Sequence, residues 1–344
     1  MIKLKNPLAL WLFFGCLLIF VMVIVGGITR LSGSGLSITE WKLIRGTIPP
    51  LNEKEWQEEF ENYRQIPQYK EQNYHFTLED FKGIYWWEYI HRLIGRIIGL
   101  VFIIPFVIFW MKGMISRSLM PKLLFLFGLG ALQGFLGWFM VKSGLTENVR
   151  VSHIRLAIHL GMAFITFGFT YWLLQGLNES ETKNLSKTKS DGYRSALVLL
   201  ILVFVQIIYG AFVAGTKAGH IYNTFPKMGD EWIATSVSFA LERNGWSALI
   251  NDISVVQFIH RCLAWIIALW IIGKWIGSLR KSSGLTFQQK YSLSFLAFMV
   301  TAQFLLGMFT LLYSVPVWLG VIHQAGAFFL FAGTIFHLRV YCSK

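Results

Sequence analysis

Apolar stretches of about 20 residues recur along the chain with polar breaks between them, the pattern of helices that cross a lipid bilayer. Eight such stretches run from Leu8 to Ile28, Tyr85 to Trp110, Leu123 to Val141, His153 to Leu174, Ala196 to Ala214, Ile253 to Ile276, Tyr291 to Tyr313 and Val317 to His337. The pattern predicts an all-α polytopic membrane protein with eight transmembrane helices. Breaks on one side are short, whereas two on the other side, 29–84 and 215–252, are long. In the first long break the run from Glu53 to Tyr63 puts Trp56, Phe60 and Tyr63 at i, i+4 and i+7. That spacing predicts a short helix lying over the membrane surface.

Composition agrees with the pattern. Of 344 residues, 55% are hydrophobic and 14% charged, which leaves too little polar surface for soluble domains. The net charge of +13 suggests nucleic acid until it is mapped onto the spans. The side that holds both termini carries 15 Lys and Arg against 3 acidic residues; the opposite side carries 13 against 14. The positive-inside rule therefore places both termini in the cytoplasm, and the basic excess reads as topology and contact with anionic membrane lipids, with no nucleic acid. The start, Met1 to Pro7, leads into an apolar run with no small-residue cleavage site after it, so the first span is expected to stay as an anchor in a bacterial cytoplasmic (inner) membrane. Cys16, Cys262 and Cys342 lie far apart and read as small buried hydrophobes.

The halves of the chain resemble each other. Glu88-Tyr-Ile-His-Arg in span two matches Gln257-Phe-Ile-His-Arg in span six, offset by 169 residues. Gln133-Gly-Phe-Leu-Gly in span three matches Gln303-Phe-Leu-Leu-Gly in span seven, and Ile158-His-Leu-Gly matches Ile322-His-Gln-Ala. Four spans separate the copies, so two tandem pseudo-symmetric four-helix bundles of one orientation are expected: residues 1–178, a cytoplasmic linker over 179–194, and residues 195–344.

Each half carries two intramembrane histidines, His91 and His159 in the first, His260 and His323 in the second. Each lies six or seven residues from the outer start of its span, which predicts four imidazoles at one depth. Polar side chains in hydrocarbon are costly, so a shared geometry suggests a shared ligand. Two histidines on facing helices, without further carboxylates or thiolates, suit the axial positions of a haem, whereas zinc would want three or four protein ligands. Arg92 and Arg261 follow two of the histidines directly, and either propionate pairing or snorkelling to the interface accounts for them. Glu88 lies one turn before His91, and its counterpart is Gln257. A carboxyl in a low-dielectric pocket can accept a proton or offset developing positive charge; capping backbone groups near the interface is the structural alternative. The exit from Thr29 to Ser37 reads either as a Gly-rich turn or as a wrap for a carboxylate or propionate. His75, His153, His220 and His337 are expected in surface or interface roles.

These residues together resemble the haem A synthases, from Gly26-Gly-Ile-Thr-Arg-Leu-Ser-Gly-Ser-Gly-Leu-Ser through Glu88-Tyr-Ile-His-Arg to Ile322-His-Gln. The resemblance covers nearly the whole chain. It implies that the C8 methyl of haem O is oxidised to the formyl group of haem A, through an alcohol and a hydrated aldehyde. It further implies that His91 and His159 flank substrate haem O, that His260 and His323 hold a resident haem b, and that Glu88 is the essential glutamate. Haem O synthase, the farnesyltransferase, as substrate donor and the cytochrome oxidase assembly machinery are the partners it implies. Some members carry a cysteine pair in the first outer loop; this loop has none.

The alternative is a dihaem membrane cytochrome b that carries electrons to or from quinol without modifying haem. It shares the four histidines but gives no reason for Glu88 opposite Gln257. A transporter built from repeated bundles would place ionisable residues near the midplane instead of near one face.

Overall fold

The computed structural model describes residues 6–41, 45–146, 149–177, 192–280 and 283–342. Among them the regular structure is helical, apart from one isolated bridge between Met228 and Glu231. The eight predicted spans are α1 (Pro7–Leu31), α3 (Leu78–Met111), α4 (Met120–Thr146), α5 (His153–Leu177), α6 (Tyr193–Thr216), α9 (Ile253–Ser278), α10 (Phe287–Leu312) and α11 (Val317–Cys342). All eight are long and apolar enough to cross a membrane. The long connections between spans add α2 (Glu53–Arg64), α7 (Thr235–Asn244) and the single turn α8 (Ala248–Asn251).

The chain packs as two compact units, Leu10–Thr170 and Met1–Ala9 with Tyr171–Lys344. Most of the linker expected over 179–194 lies outside the described residues, which resume at Gly192.

In the 10–170 unit, helix pairs are joined by specific contacts between polar tips and small residues. Trp11 Nε1 donates to the Val101 carbonyl at 2.8 Å, tying α1 to α3, and Gly15 of α1 faces Thr170 of α5. Phe102 of α3 stacks with Phe127 of α4 at 6.0 Å. In the 171–344 unit α6 and α10 each pack against both α9 and α11, closing a four-helix ring.

Helix ends follow from local chemistry. A capping box between Thr77 and Asp80 starts α3 seven residues before the apolar stretch that predicts it, because Thr77 satisfies the Asp80 amide and Asp80 returns a bond to Thr77. The N-cap of α9 is Asp252, whose carboxylate accepts from the amides of Ser254 and Val255. α1 closes in a Schellman motif: Ser34 N donates to Thr29 O and Gly33 N to Arg30 O, with Gly33 at φ +72°. This turn aims the following segment back across the outer end of α3.

The predicted surface helix is present as α2. Its Trp56, Phe60 and Tyr63 are buried, and they pack with Phe81, Tyr85 and Tyr89 of α3 in an aromatic cluster. Trp56 and Tyr85 meet edge to face at 4.9 Å. The Tyr63 hydroxyl donates to Gln68 and accepts from Asn73. His337, expected at an interface, is instead buried and shares a 2.8 Å hydrogen bond with Ser292; α10 covers the face that its place near the span's end would leave exposed. Cys16 is buried, as its sequence context predicts, while Cys262 and Cys342 are partly exposed.

Candidate functional site: two histidine pairs

In the 10–170 unit His91 on α3 and His159 on α5 lie within electrostatic range of each other, and in the 171–344 unit His260 on α9 and His323 on α11 do the same. Each ring rests on a glycine of the preceding span. A Cβ built on Gly26 would lie 3.0 Å from His91, on Gly137 3.1 Å from His159, on Gly210 3.4 Å from His260 and on Gly307 2.8 Å from His323. Without a side chain at these positions the imidazoles lie against helix backbone, in the space a larger residue would fill.

Three of the histidines are also gripped by a glutamine. The side-chain amide of Gln133 donates to the His159 carbonyl at 3.1 Å, that of Gln206 to the His260 carbonyl at 3.1 Å, and that of Gln303 to the His323 carbonyl at 2.9 Å. The same amide nitrogens lie 3.4–3.5 Å from the ring Nε2 atoms. The sequence shows Gln133 and Gln303 as matched positions but offers no signal that they hold histidines, and Gln206 escapes the repeat comparison altogether.

Glu88 is buried at 2% exposure and its carboxylate is fully engaged. Arg92 donates to Oε1 from Nη2 at 2.6 Å and from Nε at 3.1 Å; Oε2 accepts from the Ser37 hydroxyl at 2.8 Å and the Ile38 amide at 3.0 Å. The end of the exit after α1 thus touches a carboxylate of the chain itself, through the Ser37 hydroxyl and the next residue's amide, Ile38 N, and not through a nest of backbone N–H groups of residues 29–37. Four donors match the acceptor capacity of its two oxygens. Arg92 further donates to the carbonyls of Ile38 and Glu40, so one Nη1 hydrogen remains to meet an anion. It also borders a recess of about 470 Å³ with Asn62, Trp41, Trp138, Lys142 and Thr146, in which Arg92 stacks over Trp41 and Lys142 over Trp138. Sequence reading passes over Lys142.

The 171–344 unit repeats this frame without its charge. Gln257 donates to the Tyr222 carbonyl at 3.2 Å, and Arg261 donates to the carbonyls of Tyr222 and Lys227 at 2.7 and 3.0 Å. Gln257 Oε1 and Arg261 Nε are buried without a partner. Arginine joins helix to loop in both units; only one unit pairs it with a carboxylate.

The donor set fits a haem. The Nδ1 atoms of His159, His260 and His323 are buried and lack hydrogen-bond partners, which packing alone rarely tolerates. Among the described residues no three His, Cys, Asp or Glu side chains converge, so each pair offers two imidazoles, a donor set that would suit a porphyrin iron better than zinc.

Comparison with known proteins agrees with this chemistry. Over 340 residues the chain is 48% identical to a protein named heme A synthase from Flavobacterium psychrophilum, covering 98% of each. It is 45% identical to the heme A synthase of Nitrosomonas eutropha, covering 97% of this chain and 93% of the relative, and 45% identical to that of Parvibaculum lavamentivorans, covering 97% and 94%. The model of the COX15-CtaA family, cytochrome oxidase assembly protein, matches residues 9–335. Since that match and these likenesses run nearly end to end, the chain belongs to the COX15-CtaA family.

Proposed function

We propose that the chain is a haem A synthase, a multi-pass membrane oxidoreductase that converts the C8 methyl of haem O to the formyl group of haem A for cytochrome oxidase. Likeness to relatives of that name over almost the full length supports the reaction. The observation that carries the reading within the molecule is the pairing of imidazoles in each unit, with a buried carboxyl one helical turn along the chain from a histidine of only one pair. A dihaem carrier has no use for that difference.

In this reading His91 and His159 bind the iron of substrate haem O in the first bundle, residues 1–178, and His260 and His323 hold a resident haem b in the second, residues 195–344. When bound, haem b supplies a one-electron acceptor. Glu88 stands beside the reacting porphyrin as an anion. With both oxygens already held by donors, it acts by offsetting positive charge that develops on the methyl carbon. Arg92 orients the carboxylate for this role. The substrate propionates are met by the remaining Nη1 hydrogen of Arg92 and by Lys142 across the recess; Arg261, with its free Nε, meets a propionate of haem b. Haem O synthase delivers the substrate, and both termini lie in the cytoplasm, as the distribution of Lys and Arg supports.

The test is pigment chemistry on the purified full chain. Extracted haem is separated beside haem B, O and A standards, before and after supply of haem O. Haem B together with haem A is expected. Haem B alone, with haem O left unconverted in membranes that support electron transfer, would leave the dihaem carrier as the better reading.

A further inference from the structure

Three of the four histidine sites share a device that the fourth lacks. In α4, α6 and α10 a glutamine stands four residues before the glycine on which the ring rests: Gln133 before Gly137, Gln206 before Gly210, Gln303 before Gly307. Residues four apart share a helix face, so glutamine and glycine present together to the same histidine. In α1 the residue four before Gly26 is Met22. Its thioether methyl reaches toward α3, 3.4 Å from a Cβ built on Gly95, and it has no hydrogen to donate.

The ring of His91 is set differently as well. His159, His260 and His323 all turn Cε1 toward their glycine. His91 turns Nε2, 3.0 Å from the built Cβ of Gly26, with Cδ2 at 3.4 Å. Among the described residues no side chain donates to His91 as the glutamines do to the other three.

We infer that Gln133, Gln206 and Gln303 are positioning residues that latch an axial histidine, and that Met22 leaves His91 as the unlatched ligand through which the first pair releases and admits its porphyrin. The inference rests on the reading of the pairs as haem sites and deepens it by saying which site exchanges. A resident group needs both histidines fixed, and the 171–344 unit fixes both. A substrate has to arrive and its product has to leave. One fixed ligand, His159, and one able to swing, His91, meet that need. Hydrogen bonds between helices in lipid are worth little individually, enough to slow a ligand's departure without making it irreversible.

The experiment exchanges the two side chains in the full-length, detergent-purified protein loaded with haem. Release is followed as transfer of haem to excess apomyoglobin, read in the Soret band, and ligand geometry as the low-spin ferric g values. The wild type should release in two phases, and His91→Met should abolish the faster. Met22→Gln should slow the fast phase roughly three- to tenfold, the range expected for one added hydrogen bond. Met22→Leu should leave it at the wild-type rate. Gln206→Met should speed the slow phase by a similar factor and broaden or shift its g values, even if Met22→Gln fails to fold. Unchanged rates in folded Met22→Gln, slowing in Met22→Leu, or an unchanged slow phase and g values in Gln206→Met would each overturn the latch. If His91→Met and His260→Met both left all bound haem unaltered, the haem-site reading itself would fail, separately from the latch.

Discussion

Arg92 folds back one helical turn onto Glu88, its Nη2 2.6 Å from Oε1, and the pair together fastens the segment after α1 to the outer end of α3. The carboxylate thus stands one helical turn along the chain from His91 and is at the same time a fixture of the loop after α1. These two roles separate under substitution. The 171–344 unit shows that a glutamine in the same position still supports the arginine–carbonyl contacts, since Gln257 and Arg261 share the Tyr222 carbonyl.

Glu88→Gln should accordingly fold and keep its haem while forming haem A at least about 100-fold more slowly, the scale of lost electrostatic stabilisation at a developing charge. Chromatography of extracted haems reads the outcome; haem A at the wild-type level would remove Glu88 from the chemistry. Glu88→Ala is expected to be worse in a different way, because Arg92 would then be buried beside a cavity, and protein yield should fall along with activity.

The glycine contacts predict a graded series. A methyl on Gly307 would intrude to 2.8 Å of His323, whereas on Gly210 it would make ordinary contact with His260 at 3.4 Å. Gly307→Ala should strain the second pair by about 1–3 kcal/mol and lower its haem content, while Gly210→Ala should be nearly silent. Haem-to-protein ratios in the two purified variants decide it, and equal losses would contradict the geometry.

His260→Met and His323→Met should each alter the low-spin spectrum of the resident haem without changing the helical content of the chain. An unaltered haem b spectrum in either would reject that ligand.

Much of this architecture is legible in the amino-acid pattern alone. The spans are found because lipid demands long apolar helices, and the face of α2 because Trp56, Phe60 and Tyr63 keep helical spacing. The early start of α3 is not visible, since Glu79, Asp80 and Lys82 end the apolar window although Phe81 continues into the aromatic cluster. The histidines announce themselves as polar residues in hydrocarbon. Their glutamines do not, because an amide in a span reads equally as helix-packing glue. Arg92 is only half legible: its place next to His91 suggests a propionate contact, while its spacing of four from Glu88 decides where most of its donors go.

The cluster over α3 gives a test outside the membrane. Trp56→Ala or Phe81→Ala should cost about 3–5 kcal/mol of local stability and expose residues 45–77 to protease. Burial pushes the Tyr63 phenol up to about 12, above its ordinary value near 10. Its neutral form thus stabilises the folded loop fully below pH 10, and that contribution is lost as the pH rises from 10 to 12. Proteolysis across this range should show the loop loosening in the wild type and a flatter profile in Tyr63→Phe; identical profiles would detach Tyr63 from the effect.

The glycine under each histidine has a genetic corollary. Every missense change that one nucleotide can make in a glycine codon adds a Cβ, so at Gly307 no such replacement avoids the imidazole. Natural or laboratory variation should consequently be read there with the same suspicion as at His323 itself, whereas Gly210 offers alanine as a way out.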